Sequence, residues 1–279
     1  MQKSKRNKIA FAVIGLGFIA DRHIASIKDI GGEVLIGCDI DKTKKHKIGK
    51  ATFYENWKDI PKDDNFKKID YVVICTPNYL HSEMSVAFAI LGKQILLEKP
   101  AAIDMENLRL FKYFNSNINH VVQLRYNPKL IELKKMIDIK KKYEASFAVC
   151  VHRDDWYYNC WKNNDEQSGG LLFNIGIHYF DVLCWLFGHP ISSEITRSTK
   201  GLSKGRVYFK NCDVKWKLSI NQPMDNQFRY LKVNGEKINL TDNFEGSHTR
   251  VYKEMLAGNA IKITDIEEGL KLVNKLYGR

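Results

Sequence analysis

KIAFAVIGLGFIA, from Lys8 to Ala20, is the stretch of sequence that decides the fold of this chain. It opens as a continuous apolar run of strand length and continues at once into Gly15 and Gly17. Between a strand and a helix, Gly15 allows a tight turn and Gly17 lets a pyrophosphate approach the backbone closely. Ala20 is small enough for the helix to pack on the strand. The stretch therefore predicts a dinucleotide-binding turn.

The segment that follows this turn supports the prediction. An amphipathic pattern from Ile19 to Ile30 predicts a helix, and the apolar run Glu33 to Cys38 predicts a second strand that ends in Asp39. An acid at the end of this strand can accept two hydrogen bonds from an adenosine ribose and repels a 2′-phosphate. The sequence therefore favours NAD over NADP as the cofactor.

Strands and helices continue to alternate through the first half of the chain. Further strands are predicted at Asp70 to Cys75, Gln94 to Leu97 and His120 to Leu124, and a helical pattern follows each of them. This alternation predicts an α/β fold in which residues 1–122 form a Rossmann domain with a doubly wound parallel sheet.

Two of the predicted strands run into loops with polar residues, and open sheets bind ligands at the carboxyl ends of their strands. The first loop holds Thr76, Pro77 and Asn78, with His81 beyond it, and the second is Glu98-Lys99-Pro100. The charged pair of the second loop lies either beside the reactive ring of a cofactor or in a surface salt bridge. Spacing alone leaves both alternatives open.

Period-two patterns dominate the second half, residues 123–279. They predict strands at Tyr143 to Val151, Val214 to Ile220 and Phe228 to Val233, the last joined across an Asn234-Gly235 turn to another strand. We expect an α+β domain with a mostly antiparallel open sheet, whose exposed face is a candidate oligomer interface. The final helix, predicted at 265–277, is a candidate to pack back on the first domain.

One apolar segment, from Ser168 to Gly188, carries a regular set of polar residues. It reads as a buried helix that covers one face of the second sheet. Asn174, His178 and Asp181 stand at i, i+4 and i+7, on one helix face. Burying such groups costs free energy unless each finds a partner, so the stripe predicts a ligand site. The alternative is a structural histidine satisfied by its neighbours.

The net charge of +12 raises the question of nucleic acid. Basic runs occur at Lys3 to Lys8, Lys42 to Lys50 and Lys140 to Lys142, but aromatic residues do not interleave with them and no DNA-binding motif is present. We therefore expect a solvated basic surface and no nucleic-acid partner. A positive field of this kind also attracts an anionic small substrate.

Composition bounds the class of protein. The chain has 279 residues, of which 44% are apolar, as expected for a soluble globular protein of two modest domains. The six cysteines are scattered without C-x-x-C or metal-ligand spacing, which is typical of a reduced, cytoplasmic protein. No membrane span, secretory signal or metal site is expected.

Taken together, the motifs resemble the glucose-fructose oxidoreductase, inositol dehydrogenase and MocA family. The resemblance is carried by the glycine turn, by Thr76-Pro77-Asn78 with His81, by Glu98-Lys99-Pro100, and by Gly169-Gly170 leading to Asn174 and His178. Within it, the chain is most similar to UDP-N-acetylglucosaminuronate 3-dehydrogenases of the WlbA and WbpB type. The motifs behind this narrower match are Val122 to Arg125 with Pro128, Trp156-Tyr157 with Trp161-Lys162, Ser168-Gly169-Gly170, and Trp216 to Ile220.

The resemblance implies a role for each of these residues. Lys99 would hydrogen-bond the reacting sugar hydroxyl and His178 would take its proton while hydride leaves for the nicotinamide. Glu98 would hold the nicotinamide ribose, and a cis Lys99-Pro100 peptide would aim the lysine at the substrate. Asp181 is expected to be a structural support rather than a catalyst.

The remaining binding residues are expected to surround the cofactor and an anionic sugar. Contacts with NAD are expected from Gly15, Gly17, Phe18, Ile19, Asp39, Thr76, Pro77, Asn78, His81, Glu98, Lys99 and Gln123. Contacts with the substrate are expected from Lys99, Arg125, Asn127, Trp156, Tyr157, Trp161, Lys162, Asn174, His178 and His248. Arg125 and Lys162 are the predicted partners of its carboxylate or diphosphate. The three aromatic residues either wall the pocket or belong to the core.

The function that the resemblance implies is NAD-dependent oxidation of the 3-hydroxyl of a UDP-N-acetyl-hexuronic acid to a 3-keto sugar, in nucleotide-sugar or polysaccharide biosynthesis. One alternative is a dehydrogenase or reductase of another sugar or polyol, such as UDP-N-acetylglucosamine or an inositol. The other is a non-catalytic NAD-binding regulator, but such a protein would lack the lysine or the histidine. A tetramer or dimer is expected.

Overall fold

The computed structural model describes residues 8–240 and 246–278. Most of the basic run that begins at Lys3 lies outside this range. The described residues divide into two compact units, which are not contiguous in sequence. The first unit contains residues up to Ala101, Arg109–Val121 and His248–Ile263, and the second contains Ala102–Leu108, Val122–Ser247 and residues from Thr264 onward.

The first unit is built on a six-stranded parallel sheet of order β3-β2-β1-β4-β5-β6. Its strands are β1 (Ala10–Ile14), β2 (Glu33–Cys38), β3 (Thr52–Tyr54), β4 (Tyr71–Ile74), β5 (Gln94–Leu97) and β6 (Ile118–His120). Every residue of β1 is buried, as expected for a central strand that helices cover on both faces. The chain order reverses between β1 and β4, and this is where doubly wound sheets bind their ligands. The predicted Rossmann sheet is confirmed.

The second unit contains a six-stranded sheet of order β12-β11-β7-β10-β9-β8. Its strands are β7 (Tyr143–Cys150), β8 (Pro190–Thr199), β9 (Leu202–Phe209), β10 (Cys212–Ser219), β11 (Phe228–Val233) and β12 (Glu236–Asn239). Only β7 and β10 pair in parallel, so the predicted mostly antiparallel sheet is confirmed. Asn234 and Gly235 both have positive φ, as the predicted hairpin turn requires.

Helices connect the strands of both sheets. Their bounds are α1 (Phe18–Asp29), α2 (His81–Ile90), α3 (Met105–Tyr113), α4 (Pro128–Met136), α5 (Asp155–Tyr158), α6 (Asp165–Ser168), α7 (Ile177–Phe187), α8 (Ser247–Leu256) and α9 (Ile263–Tyr277). The predicted final helix corresponds to α9, nearly all of which belongs to the second unit. The late segment that joins the first unit is His248–Ile263.

The predicted strand from His120 to Leu124 is wrong in its bounds. Strand β6 ends at His120, and a 3₁₀ turn occupies Gln123–Tyr126. The amide of His120 bonds the carbonyl of Ile261 at 2.9 Å, so a segment distant in sequence pairs with this end of the strand. An apolar run such as Val121-Val122 shows burial, but it does not show where pairing stops.

The apolar segment from Ser168 to Gly188 is not one regular helix. Gly169 and Gly170 have positive φ, and a π-helical turn at Leu172–Gly176 leads into α7. Phe180 of α7 packs against Phe147 and Trp216 with ring centroids 5.3 Å apart in each case. The prediction that this segment covers one face of the second sheet is thus confirmed.

The same segment is the one part of the described chain that could cross a membrane by length and composition. It runs from Asp165 to Phe187, and 78% of its most apolar window is buried inside the structure. Such burial is what a core helix of a globular unit shows.

Candidate active site

The glycine turn after β1 has the shape that a dinucleotide requires. Gly15 has φ +84°, and a Cβ built on it would lie 2.7 Å from the carbonyl carbon of Cys75, so no larger residue fits there. A Cβ on Gly17 would meet nothing within 4 Å, which leaves open space in front of the first turn of α1. Helix N-termini stabilise phosphate groups. The turn therefore fits the pyrophosphate of NAD.

Asp39 lies at the end of β2, where the adenosine ribose is expected. Its carboxylate accepts hydrogen bonds from the amides of Leu16 at 2.7 Å and Asp41 at 2.9 Å. Lys44 Nζ lies 3.0 and 3.2 Å from the two carboxylate oxygens. These contacts fix the carboxylate and partly neutralise it.

His81 joins the two loops at the carboxyl ends of β4 and β5. Its ring nitrogens lie 2.7 Å from the carbonyl oxygen of Pro100 and 3.0 Å from that of Thr76, and the residue is buried. Burial lowers the pKa of His81, so the neutral ring donates to one carbonyl at a time. The direct cofactor contact predicted for His81 is therefore replaced by a positioning role.

Glu98 is the centre of a buried hydrogen-bond network within the first unit. His23 Nε2 lies 2.9 Å from Glu98 Oε1, and the other ring nitrogen of His23 lies 2.9 Å from the hydroxyl of Tyr252. His248 Nε2 is 3.7 Å from the same carboxylate oxygen. The amide of Lys99 donates to Glu98 Oε2 at 3.1 Å.

The protonation states of this network follow from its burial. Burial raises the pKa of Glu98, but the hydrogen bond of His23 and the nearby ring of His248 outweigh it and hold the pKa well below its usual range. Burial lowers the pKa of His23. A neutral His23 with its proton on Nε2 donates to Glu98 and accepts from Tyr252, so both contacts are satisfied. The result is an ionised, oriented carboxylate.

The same cluster could hold a metal ion by composition, since His23, Glu98 and His248 place one ligand atom each within 4.8 Å of one another. The hydrogen bonds that already join Glu98 to His23, and His23 to Tyr252, favour a positioning network instead. His248 was predicted to contact the substrate, but the structure places it beside Glu98. Sequence reasoning did not find His23 or Tyr252, because they lie 75 and 229 positions from their partners in the network.

Lys99 follows Glu98 directly, and the Lys99-Pro100 peptide is cis. This geometry is the one that the family resemblance implies. Lys99 belongs to the first unit and His178 to the second.

In the second unit, the three residues of the polar stripe have different surroundings, and its division into a site and a support stays a prediction. Asn174 lies in the π-helical turn and donates to the hydroxyl of Tyr157 at 2.9 Å, with both residues buried. His178 lies in the first turn of α7 and is only partly buried, unlike most of that helix. Asp181 is buried and faces Arg125.

Arg125 does not have the position predicted for it. Its Nε and Nη2 atoms donate to the two carboxylate oxygens of Asp181 at 2.8 and 2.7 Å, and Nη2 also reaches the carbonyl of Asp265 at 2.6 Å. Burial raises the pKa of Asp181, and the guanidinium opposes that rise. A two-pronged buried pair of this kind commits Arg125 to its own chain and corrects the prediction that it binds the substrate.

Asn127 also has a structural position. Its side chain accepts a hydrogen bond from the amide of Lys129 at 3.0 Å and caps the N-terminus of α4, which begins with Pro128. The residue is buried and serves as a helix cap, and its contact with the substrate stays a prediction. Gln123 belongs to the second unit and lies in the 3₁₀ turn just before this cap.

The aromatic residues predicted to wall the pocket differ in burial. Lys162 Nζ lies over the rings of Trp156 at 5.0 Å and Trp161 at 5.7 Å. Trp156 is 52% exposed and therefore is not a core residue, whereas Tyr157 is 4% exposed. The structure thus brings Trp156, Trp161 and Lys162 together at a surface, with Tyr157 behind them against Asn174.

A cation that sequence reasoning missed lies beside this group. The guanidinium of Arg153 is 5.7 Å from the centroid of the Tyr157 ring, and Nη1 donates to the carbonyl of His152 at 3.3 Å. Arg153 stands three residues after the end of β7 and shortly before Trp156-Tyr157. This place at a strand end is the signal that could have pointed to it. Polar residues at strand ends are where binding sites concentrate.

Comparison with known proteins places the chain in a family. The profile described as "Oxidoreductase family, NAD-binding Rossmann fold" matches residues 9–125, and "Oxidoreductase family, C-terminal alpha/beta domain" matches residues 141–271. The chain belongs to the Gfo/Idh/MocA oxidoreductase family, and its first unit carries the NAD-binding Rossmann fold.

Individual relatives narrow the comparison. The WlbA (WbpB) dehydrogenase from Thermus thermophilus, solved in complex with NAD and UDP-GlcNAcA, is 28% identical with a TM-score of 0.86, and the match covers 95% of this chain and 93% of that one. An inositol 2-dehydrogenase/D-chiro-inositol 3-dehydrogenase from Lactiplantibacillus plantarum is 29% identical over 62% of this chain and 51% of its own. The glucose-6-phosphate 3-dehydrogenase of Bacillus subtilis is 22% identical over 67% and 56%. The chain therefore spans little more than half the length of these two curated relatives.

Proposed function

We propose that this protein is an NAD-dependent dehydrogenase that oxidises the 3-hydroxyl of a UDP-linked N-acetyl-hexuronic acid to a ketone. The observation that carries the substrate class is the similarity over nearly the whole chain to the Thermus thermophilus dehydrogenase, which was solved with NAD and UDP-GlcNAcA. The fitted glycine turn and the fixed carboxylates of Asp39 and Glu98 support the cofactor side of the proposal.

The chemistry divides between two residues of this chain. Bound NAD supplies the acceptor for the hydride that leaves C3 of the sugar. His178 accepts the proton of the 3-hydroxyl, so the two hydrogens leave as hydride and proton and the C–O bond becomes a carbonyl. Lys99 donates a hydrogen bond to the same oxygen and stabilises the charge that develops on it.

Supporting residues prepare these two groups. In this proposal Glu98, held by His23, binds the nicotinamide ribose, and its contact with the Lys99 amide orients the backbone of the lysine. Asn174 is held by Tyr157 one turn before His178, and in this proposal it contacts the sugar. We place the reaction in nucleotide-sugar or polysaccharide biosynthesis in the cytoplasm, which agrees with six cysteines that are all free thiols.

A second candidate substrate is a free polyol. The 29% identity to an inositol 2-dehydrogenase favours it, since the hydride and proton transfers would be the same. The difference lies in what holds the substrate, because a polyol has neither a diphosphate nor a carboxylate. A substrate panel separates the two.

The test compares turnover of UDP-N-acetylglucosaminuronate, UDP-N-acetylglucosamine and myo-inositol with NAD, followed by absorbance of the reduced nicotinamide. We expect the acid nucleotide sugar to give the highest kcat/KM. In Lys99→Met and His178→Asn we expect kcat to fall by roughly 10²- to 10⁴-fold while NAD still binds, because each variant removes a group that acts on the reacting hydroxyl.

The matched control for the histidine is His189→Asn, since His189 is a surface residue of the same unit paired with Glu268. This control should keep its rate. Full turnover by either active-site variant would refute the mechanism, and a higher kcat/KM for myo-inositol than for the acid sugar would refute the substrate.

We also propose that the chain assembles as a dimer or tetramer through the open face of the second sheet. That face carries both signs of charge, with Glu144 and Asp213 in one row and Lys215 and Arg206 in the next, and the rows surround a cavity of about 510 Å³. A second copy related by a two-fold axis could set acidic rows against basic rows. Light scattering would measure the mass, and a monomer at all concentrations would refute this assembly.

A further inference from the structure

Recognition of a carboxylate needs a cation that is not already paired within the chain. Of the two cations predicted for this task, Arg125 is committed to Asp181. Lys162 is stacked over Trp156 and Trp161, where it is a point charge at a surface. The second unit offers another guanidinium close to the Asn174–Tyr157 pair.

Arg153 provides that guanidinium, and several of its N–H donors have no good acceptor among the described residues. Its Nε atom is buried, and no described residue accepts a hydrogen bond from it. Among the described residues, its hydrogen bond runs from Nη1 to the carbonyl of the preceding residue and is long at 3.3 Å. No carboxylate in the described part of the chain forms an ion pair with it, because the neighbouring Asp154 pairs with His152 at 3.0 Å. The hydrogen bonds of this partly buried cation therefore do not offset the cost of removing its charge from water.

A second arginine lies close enough to Arg153 to act on its charge. Burial lowers the pKa of Arg153 and the nearby charge of Arg229 lowers it further, while Tyr157 and the charge of Asp154 oppose that fall. Both guanidiniums also act on Tyr179, whose pKa burial raises to about 12. The two arginines therefore form a positive region beside Tyr157, which accepts the hydrogen bond of Asn174. Such a region suits an anion better than a neutral hydroxyl.

We propose that Arg153, with the charge of Arg229 behind it, binds the carboxylate of the substrate and so makes this site selective for an acidic sugar. This assignment rests on the proposed function, because it takes Asn174 as the neighbouring sugar contact. A planar guanidinium matches a carboxylate with two parallel hydrogen bonds, which is a geometry that a lysine cannot reproduce.

The experiment measures kcat/KM for UDP-N-acetylglucosaminuronate and for UDP-N-acetylglucosamine in the wild type, Arg153→Met and Arg153→Lys. A hydrogen-bonded charge pair of this kind corresponds to roughly a 10- to 100-fold effect. We expect Arg153→Met to lose that factor with the acid and to change little with the neutral sugar, and Arg153→Lys to lose part of it. Lys204→Met, which removes a cation from an exposed strand position of the same unit, is the matched control and should keep the preference for the acid.

Calorimetric titration of both sugars and of UDP, with NAD present, separates the possible failures. If Arg153→Met weakens the acid, the neutral sugar and UDP equally, the guanidinium acts on the diphosphate or on folding, and the assignment is overturned. If the wild type turns over neither sugar but binds the acid more tightly, and Arg153→Met abolishes that difference, the assignment holds and the proposed reaction fails. Equal binding of both sugars by the wild type overturns the assignment.

Discussion

Lys44 shows how one side chain modifies the expectation set by a motif residue. Asp39 at the end of the second strand predicts rejection of a 2′-phosphate, since two negative groups would be brought together. The ammonium of Lys44 lies within 3.2 Å of both oxygens of that carboxylate. It therefore weakens the repulsion, and the preference for NAD over NADP should be smaller than Asp39 alone would give.

Replacing Lys44 by Met should sharpen the preference for NAD. The pair is partly exposed, so we expect the ratio of NADP to NAD dissociation constants to rise by roughly fivefold. Titration of both cofactors into the wild type and Lys44→Met measures this ratio. The control is Lys58→Met, which removes an exposed cation outside the glycine turn and the Asp39 carboxylate. An unchanged or smaller ratio in Lys44→Met would show that the lysine does not act on the 2′-position.

At the residue scale, motifs with short spacing were predictable and distant partnerships were not. Gly15, Asp39 and Glu98 stand at strand ends that the apolar runs reveal, so their places follow from local pattern. Arg125 was assigned wrongly because its partner Asp181 lies 56 positions away in the chain. A charged residue near a motif looks the same in sequence whether it binds a ligand or another side chain.

At the element scale, the apolar segment before Gly188 was recognised, but its break was not. The π-helical turn at Leu172–Gly176 widens the backbone just before α7 begins. Apolar periodicity cannot reveal such a turn, because one extra residue shifts the helix face by only part of a turn. The widened turn contains Asn174, so the element that pattern analysis misjudged is the one that carries a proposed site residue.

Arg125 also gives a prediction for the elements it connects. It joins the segment before α4 to α7 through Asp181 and to α9 through the carbonyl of Asp265. Arg125→Met would leave the buried carboxylate unpaired, so we expect the free energy of unfolding to fall by about 3–5 kcal/mol. Urea unfolding measures this change.

The double variant Arg125→Met with Asp181→Leu is the informative companion, since it removes both charges together. Its stability should lie above that of Arg125→Met alone. If Arg125→Met instead kept wild-type stability and weakened only the acidic nucleotide sugar, the original prediction of a substrate contact would be restored.

At the scale of the whole molecule, buried histidines should make the fold sensitive to acid. His120 is buried, and no described residue bonds either of its ring nitrogens. Burial lowers its pKa from 6.5 to about 3, with the charges of Lys262 and His81 adding to the effect. Between pH 6.5 and 3, His120 is therefore protonated in the unfolded chain and neutral in the folded chain. The pKa values of His23 and His81 are lowered in the same direction.

Stability should thus be complete above about pH 6.5 and be lost progressively as the pH falls toward 3, by roughly 4–5 kcal/mol from His120 alone. His120→Leu should make this loss shallower and should not destabilise the protein at neutral pH, since it removes an unsatisfied buried group. Thermal midpoints measured across this pH range test it, with the exposed His46→Leu as control. Identical acid profiles for wild type and His120→Leu would refute the effect.

The two sheets were predicted from two different sequence patterns. The central parallel strand β1 is fully buried and appears as a continuous apolar run, whereas β10 of the second sheet alternates between buried and exposed residues. Neither β8 nor β9 was predicted. PISSEITRST of β8 is mostly exposed and lacks alternation, as is common at a sheet edge, whereas β9 was missed although its buried and exposed residues alternate. The division of the chain was not predictable either, because the return of His248–Ile263 to the first unit depends on contacts far apart in sequence.

The return of His248–Ile263 to the first unit has a consequence for folding during translation. Tyr252, which is fully buried in the first unit and bonds His23, is synthesised only after nearly all of the second unit. The Rossmann sheet can pair its strands early, but its core and the Glu98 network stay incomplete until α8, which carries Tyr252, has been translated. A nascent chain stalled before Tyr252 would therefore expose an unfinished nucleotide-binding unit, which makes the late segment the step at which this unit is finally closed.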